Sequence, residues 1–221
     1  MIHDRAGGVP LVVAIDGPAG AGKSTVGRAL AERLGLGYLD TGAMYRAMTF
    51  AVQLRGVPEG DLAAVAEVAS HVRIELEAGE VLVDGTDATD AIRGREVTEG
   101  VSQVAANPAV RAVLVERQRE WVAAHGGGVV EGRDIGSVVF PDARLKLFIT
   151  ASPRVRAERR VNQVGGDVDE TEASIIKRDR FDSTRSHSPL TEASGAVTVD
   201  TTGMSIDEVV DHVLQLLEDA S

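Results

Sequence analysis

Short apolar runs alternate with stretches of helical spacing along most of the chain. Residues 11–15 (LVVAI) are a continuous, largely β-branched run, which predicts a strand buried on both faces. Apolar residues then recur at helical spacing over 23–34, so the pattern predicts a helix that ends at Gly35. The same reasoning predicts a short strand at 38–39, a turn at 40–42 and a helix over 43–54.

The middle of the chain has a different pattern. After a short helical stretch at 62–70, apolar and polar residues alternate over 72–76, and a second apolar run follows at 81–83. This period of two, interrupted by turn residues at 78–79, predicts a small antiparallel hairpin unit. Helical spacing then returns over 97–106, and Asn107 and Pro108 are the N-cap and first-turn residues of a helix to about residue 124.

The last hundred residues return to alternating strands and helices. Apolar runs predict strands at 129–131, 146–150 and 196–200, and helices are predicted over 153–162, over 171–180 and after the capping box Ser205–Glu208. Residues 164–169 are expected to form a mobile loop. Strands that alternate with helices indicate an α/β fold, with a parallel β-sheet core flanked by helices and a small antiparallel β-containing insertion.

Composition narrows the class of protein. The chain has 221 residues, 43% of them hydrophobic, no cysteine and a formal net charge of −11. These values suit a single folded domain, exclude a thiolate metal site and argue against a nucleic-acid partner. The longest apolar run, Val9 to Ile15, is far shorter than the roughly 20 residues of a membrane-spanning helix, and the opening residues do not resemble a secretory signal. We therefore expect a cytoplasmic protein with no membrane partner.

One motif predicts a nucleoside triphosphate site. The stretch GPAGAGKS (17–24) matches G-x-x-x-x-G-K-[ST], and it lies between a predicted buried strand and a predicted helix, as the motif requires. Glycines let backbone N–H groups surround the phosphates, the lysine reaches the β and γ phosphates, and the serine hydroxyl can ligate Mg²⁺. The candidate ATP-binding residues are Gly17, Pro18, Ala19, Gly20, Ala21, Gly22, Lys23, Ser24 and Thr25.

Other sequence features narrow the class of protein that would use the triphosphate. A GTPase would read guanine with Asn/Thr-Lys-x-Asp, which does not occur in this chain, and Asp200-Thr201-Thr202-Gly203 comes too late to be a GTPase switch, so we predict a turn there. A motor or large ATPase needs a longer chain. A small kinase, which passes the γ-phosphoryl group to a small acceptor, remains.

Arginines and carboxylates supply candidate residues for that chemistry. Arg156, Arg159 and Arg160 fall on one helical face, where their mutual repulsion is best explained by an anion, and the glycine-containing loop after them suggests a lid over the phosphates. Glu131 ends an apolar strand, at the Walker-B position for contacts to Mg²⁺-bound water. A second set of charged residues would share a face if the helix over 171–180 continues: Arg178, Asp182 and Arg185.

Taken together, these segments resemble the bacterial cytidylate kinases, nearly from end to end. The matching stretches are IDGPAGAGKST (15–25), LDTGAMYRAMT (39–49), VSQVAANPAVR (101–111), EGRDIGSVVFPDA (131–143) and RDRFDSTRSHSPL (178–190). The first is generic to many kinases, and the other four, in this order, are typical of this family. The resemblance implies one P-loop kinase unit over 1–221, with a core at 10–61 and 125–221, an insert for the nucleoside monophosphate at 62–107 and a lid at 154–172.

The resemblance also implies an activity and residue roles. The activity is transfer of the γ-phosphoryl group of Mg-ATP to CMP or dCMP, within pyrimidine metabolism. The sequence itself has no long apolar stripe that would demand a dimer, so we expect a monomer. Some relatives have glycine at the position of Ser24 and aspartate at that of Glu131. The implied CMP-binding residues are Thr41, Arg46, Ser102, Arg111, Arg133, Asp134, Arg178, Asp182 and Arg185. The candidate catalytic residues are Lys23, Arg133, Arg159, Arg160 and Arg178. The phosphate-loop motif and the strand-end position, rather than the resemblance, give Ser24 as the Mg²⁺ ligand, with Glu131 acting through water.

Two alternatives stay open at this point. One is another P-loop kinase, for UMP, dTMP or shikimate, although the insert and VSQVAANPAVR argue against it. The other is a non-catalytic ATP sensor, although a sensor would not need so many converging arginines.

Overall fold

The computed structural model describes residues 10–77, 79–184 and 190–219. Its strands are β1 Leu11–Asp16, β2 Tyr38–Asp40, β3 Ile74–Glu77, β4 Glu80–Val83, β5 Thr86–Asp87, β6 Gly127–Glu131, β7 Leu145–Thr150 and β8 Val197–Asp200. Its helices are α1 Lys23–Leu34, α2 Thr41–Leu54, α3 Leu62–His71, α4 Arg95–Val104, α5 Pro108–His125, α6 Pro153–Val164, α7 Val168–Ser183 and α8 Ile206–Asp219. A 3₁₀ turn at Ala91–Arg93 and a π-helical turn at Ile135–Val139 complete the elements.

Contacts divide the described residues into two compact units. Unit 1 comprises those of Met1–Leu39 and Arg119–Ser221, and unit 2 comprises those of Asp40–Gln118. The core, insert and lid boundaries given above stay a prediction, which this division does not test.

A five-stranded sheet in the order β2-β6-β1-β7-β8 organises unit 1. β1 pairs in parallel with β6 on one side and β7 on the other, and β7 pairs in parallel with β8. The central strand is apolar at consecutive positions because both of its faces are buried, as the run LVVAI predicts. Its residues Val13 and Ile15 pack with Leu30 of α1 and Val213 of α8 in the main core. The parallel α/β core expected from the sequence is thus confirmed.

Unit 2 contains the predicted antiparallel hairpin. β3 pairs with β4 in antiparallel register, and the sheet has a third strand, β5, which the sequence pattern did not predict. Thr86 and Asp87 are both exposed, so β5 lacks the alternation of apolar and polar residues by which a strand is predicted from a sequence. Helix α2 packs against this sheet and against α3 and α4.

Two helix boundaries differ from the sequence prediction. The expected turn at 40–42 is absent, because Asp40 caps α2 by accepting a hydrogen bond from the Ala43 N–H at 2.9 Å and the helix begins at Thr41. The expected loop at 164–169 is reduced to residues 165–167, since Asp167 accepts from the N–H groups of Asp169 and Glu170 and starts α7 early.

Candidate active site

The phosphate-binding loop lies between β1 and α1, as the motif requires. Gly17, Gly20 and Gly22 all have positive φ, at 142°, 77° and 93°. A Cβ on Gly17 would lie 1.9 Å from the carbonyl oxygen of Ile149, so only glycine fits there. Gly22 directly precedes α1 in a left-handed conformation. The loop therefore presents its backbone and the helix N-terminus without side chains in the way, which is the geometry that binds phosphate.

Lys23 and Ser24 are both oriented by contacts of unit 1. The largely buried ammonium of Lys23 donates a hydrogen bond to the Pro18 carbonyl at 3.0 Å. Ser24 Oγ donates to Oε1 of Glu131 at 2.9 Å. Glu131 is the last residue of β6 and is buried. A hydroxyl and a carboxylate side by side at the end of a phosphate loop are hard oxygen donors of the kind that Mg²⁺ takes when phosphate and water supply the remaining ligands, so these residues fit the metal.

The three predicted arginines of α6 have different surroundings. Arg159 donates to the Thr201 carbonyl at 2.8 Å and to the Ala21 carbonyl of the phosphate loop at 3.4 Å. Arg156 is buried and donates to the Ala19 carbonyl at 3.2 Å and to the carboxylate of Asp179 at 2.6 Å. Arg160 is exposed. The helical spacing of the three arginines did not reveal that Arg156 is neutralised by the Asp179 carboxylate on α7.

Arg133, Arg178 and Asp182 meet in unit 1. Arg133 donates through Nη1 to the Gly17 carbonyl, and its Nε lies 3.3 Å from Oδ2 of Asp182. Arg178 Nε lies 3.9 Å from the same oxygen, one helical turn away on α7. Asp182 is only 1% exposed, so a buried carboxylate lies beside two arginine side chains that are themselves partly exposed. Arg185, predicted on the same face, lies outside the described residues.

Sequence reasoning missed Asp16 and Thr201. The buried Asp16 carboxylate accepts hydrogen bonds from the N–H groups of Ile135 and Gly136, both at 2.8 Å. Burial raises the pKa of Asp16 to about 6, against the opposing effect of those two hydrogen bonds. Thr201, which the sequence assigned to a turn, is buried and donates from Oγ1 to Ala21 in the phosphate loop. The sequence did offer one signal for Asp16, because it is a charged residue at the end of an otherwise apolar strand.

Four of the predicted CMP-binding residues lie in unit 2. Arg46 on α2 donates to the Ile92 carbonyl at 3.1 Å and to Thr98 Oγ1 at 2.9 Å. The guanidinium of Arg111, largely buried on α5, stands 5.8 Å from the centre of the Tyr45 ring. Thr41, at the start of α2, is buried, and Ser102 on α4 is half-buried. Tyr45 and Arg46 are neighbours on α2. One short segment of that helix therefore carries Arg46 and, through Tyr45, contacts Arg111 of α5.

The fold and the phosphate loop define the class first: this is a kinase of the P-loop type, with a parallel sheet and a small antiparallel insertion. Solved structures support the fold alone. A gluconokinase from Sinorhizobium meliloti superposes with a TM-score of 0.51 at 17% identity over 96% of this chain and 93% of its own. A sugar kinase from Janibacter sp. gives 0.51 at 14% identity over 94% of each chain.

Sequence comparison then gives the family. A family model for cytidylate kinase matches residues 13–219, and the cytidylate kinase of Mycobacterium leprae is 48% identical over 216 residues, covering 96% of this chain and 97% of that protein. The chain belongs to the cytidylate kinase family. A bifunctional pantoate ligase/cytidylate kinase of Parasynechococcus marenigrum is 53% identical over 92% of this chain, which spans 43% of that relative's length.

The described residues offer neither a membrane-spanning helix nor a cluster of metal-binding side chains. Within 10–77, 79–184 and 190–219, no helix has both the length and the apolar content needed to cross a membrane. The same residues contain no group of three or more histidine or carboxylate side chains placed to hold a metal ion.

Proposed function

We propose that this chain transfers the γ-phosphoryl group of Mg-ATP to CMP and dCMP, giving ADP and CDP or dCDP. Membership in the cytidylate kinase family supports the acceptor. The observation that supports phosphoryl transfer most directly is the hydrogen bond from Arg133 to the Gly17 carbonyl. An arginine expected on the acceptor phosphate lies at the first glycine of the donor loop, where the two phosphates have to meet.

The donor phosphates would bind to unit 1. Lys23 would leave the Pro18 carbonyl for the β and γ phosphates, and the N–H groups of residues 17–25 would surround them. Arg159, which rests on the Ala21 carbonyl, is placed to reach the same phosphates, and exposed Arg160 would join it when the lid at 154–172 closes. Water is then excluded from the transfer, so ATP is not hydrolysed.

Ser24 and Glu131 would hold the magnesium ion of Mg-ATP. Ser24 Oγ would be a direct ligand, and the Glu131 carboxylate would accept hydrogen bonds from water molecules on the metal. When bound, Mg²⁺ supplies positive charge that neutralises the β and γ phosphate oxygens.

The roles proposed for the acceptor-binding residues come from the resemblance to cytidylate kinases. Arg46 and Arg133 would bind the CMP phosphate, and Arg178, Asp182 and Arg185 would bind ribose and phosphate. Ser102 and Arg111 would read the cytosine edge, with Thr41 and Asp134 as further contacts. The fixed position of Arg111 supports a reading role, because its guanidinium stands 5.8 Å from the centre of the Tyr45 ring and offers a planar set of N–H donors.

The chemistry needs charge neutralisation more than proton transfer. The attacking oxygen belongs to a phosphate monoester that is already anionic at neutral pH, so no general base is required. The barrier lies in bringing two polyanions into line, and Lys23 and the arginines lower it by binding and orienting them. The buried Asp182 carboxylate keeps Arg133 and Arg178 in place for that task.

We infer a monomer of the cytoplasm that acts in pyrimidine metabolism, with small-molecule substrates and without nucleic-acid or membrane partners. The net charge of −11 supports the first exclusion, since nucleic-acid binding depends on positive surface.

ADP release with Mg-ATP tests the proposal against a panel of CMP, dCMP, UMP, dTMP, AMP, GMP and shikimate. Turnover concentrated on CMP and dCMP is expected. Turnover on another acceptor would keep the phosphate chemistry and discard the roles of Ser102 and Arg111. Silence across the panel in protein that binds ATP would favour the sensor.

A further inference from the structure

The π-helical turn Ile135–Val139 directly follows Arg133 and Asp134. Its backbone starts on Asp134, whose carbonyl accepts from the N–H groups of Val138 at 2.9 Å and Val139 at 3.3 Å. Phe140 N–H donates to the Ile135 carbonyl at 2.7 Å. The turn therefore fixes the backbone of Asp134 from its C-terminal side, and such turns are frequent at functional sites.

The first N–H groups of the turn are held by Asp16. Oδ1 of Asp16 accepts from Ile135 N–H and Oδ2 from Gly136 N–H, each at 2.8 Å. N–H groups at the start of a helical turn have no partner within it, so the buried carboxylate satisfies both. A Cβ on Gly136 would lie 3.2 Å from side-chain carbons of Lys146, which closes the turn from another direction.

The last carbonyl groups of the turn are held by Arg119. Its Nε donates to Val139 and its Nη2 to Val138, both at 3.1 Å. Carbonyls at the end of a helical turn lack partners for the same reason. The guanidinium fork matches two neighbouring oxygens, which an ammonium does not. Both ends of the turn are thus anchored by residues distant in sequence.

The anchoring also ties the turn to the phosphate loop. The last two residues of β1 and the first residue of the phosphate loop each bind the segment after β6. The Ile15 carbonyl accepts from Gly132 N–H at 2.9 Å, Asp16 holds the turn, and the Gly17 carbonyl accepts from Arg133. Any shift of the turn along β1 would therefore move Arg133 relative to the loop. A misplacement of about 1 Å can cost on the order of 100-fold in rate.

We propose that Asp16 and Arg119 are positioning residues for phosphoryl transfer, which hold the turn Ile135–Val139 and so set Arg133 and Asp134 against the phosphate loop. This inference rests on the proposed function. Neither side chain needs to touch substrate, so their loss should lower kcat with CMP without weakening ATP binding.

The test compares Asp16→Asn, Arg119→Met and the double variant with the unmodified protein. We expect kcat with CMP to fall at least about tenfold in each single variant, with the dissociation constant for ATP changed less than about threefold. Because both residues act on one turn, the double variant should lose less than the product of the single losses. Arg119→Lys, which can satisfy one carbonyl, should recover part of the rate. Glu208→Gln is the matched control, since Glu208 accepts from the Ser205 N–H at the start of α8.

Hydrogen exchange supplies a readout independent of activity. Exchange at Ile135 and Gly136 should accelerate in Asp16→Asn and stay unchanged in Glu208→Gln. Faster exchange with unchanged kcat would overturn the positioning role, as would multiplicative losses in the double variant. An unmodified protein inactive on CMP would instead refute the proposed function, whereas exchange would still report whether Asp16 anchors the turn. If Asp16→Asn does not fold, the kcat of Arg119→Met alone tests the positioning role. Arg119 is exposed, so its replacement should leave the protein folded.

Discussion

Ser24 Oγ donates to Oε1 of Glu131 over 2.9 Å, although 107 positions separate the two residues in the chain. The contact follows from sheet order, because β1 and β6 are parallel neighbours and Ile15 pairs with Glu131 in register. The first residues of α1 therefore lie beside the carboxyl end of β6. In open α/β sheets this edge is where ligands bind, so strand order alone brings the hydroxyl and the carboxylate to the phosphates.

Replacing Glu131 by Gln should raise the Mg²⁺ concentration needed for half-maximal activity. The amide keeps the size of the side chain and the acceptor for Ser24, but it loses the charge that attracts metal-bound water. Partners that act through water typically change metal affinity by about 10–100-fold. A Mg²⁺ titration of ADP release at fixed ATP checks this, with Glu208→Gln as the control. An unchanged half-maximal concentration would remove Glu131 from the metal site.

Arg111→Met should raise the KM for CMP far more than the KM for ATP, by about tenfold or more. Methionine fills the space of the arginine stem beside Tyr45, so the loss is confined to the guanidinium and its hydrogen bonds. Steady-state kinetics with each substrate varied in turn separates the two constants.

Arg55→Met is the control for that variant, since Arg55 pairs with Asp84 at 2.5 Å on the surface of unit 2. It should leave both constants unchanged. Equal increases in the two KM values for Arg111→Met would argue against recognition of the base by Arg111.

Arg156→Met should destabilise the protein by about 3 kcal/mol, since it leaves the Asp179 carboxylate without its 2.6 Å partner in a partly buried site. The Ala19 and Ala151 carbonyls lose a donor as well. Urea denaturation followed by circular dichroism measures the loss. Arg154→Met on the same helix is the control, and its exposed ion pairs with Glu158 and Glu172 should matter much less. Equal stability of the two variants would contradict a structural role for Arg156.

Local chemistry explains which parts of this molecule the sequence could predict. The helix over 23–34 was predicted at its observed bounds, because a glycine motif precedes it and Gly35 adopts the left-handed conformation at its end. The pairing of Arg156 with Asp179 could not be predicted, since helical spacing places arginines on a face without saying what that face meets. The turn held by Asp16 depends on partners 119 and 120 positions away, and no periodic pattern encodes it.

The pKa of Asp16 predicts how stability changes with pH. That pKa is raised from its ordinary 3.8 to about 6, because burial and, less strongly, nearby Asp134 raise it by more than the two N–H donors and Lys23 lower it. Between these values the folded protein holds a proton that the unfolded chain has released, so the free energy of unfolding falls as pH rises. One pKa unit corresponds to about 1.4 kcal/mol, and the unfolded chain is already partly ionised at pH 4, so the decrease from pH 4 to pH 7 should be about 2 kcal/mol.

Asp16→Asn isolates that contribution because asparagine does not titrate. The free energy of unfolding of the unmodified protein, minus that of the variant, should fall by about 2 kcal/mol between pH 4 and pH 7, with most of the change complete near pH 6. Urea denaturation at half-unit pH intervals gives both curves under the same conditions. Curves that run parallel would mean that Asp16 titrates alike in the folded and unfolded chains, so that its two backbone hydrogen bonds fully offset its burial. A difference that grows with pH would mean that those bonds hold the pKa below 3.8.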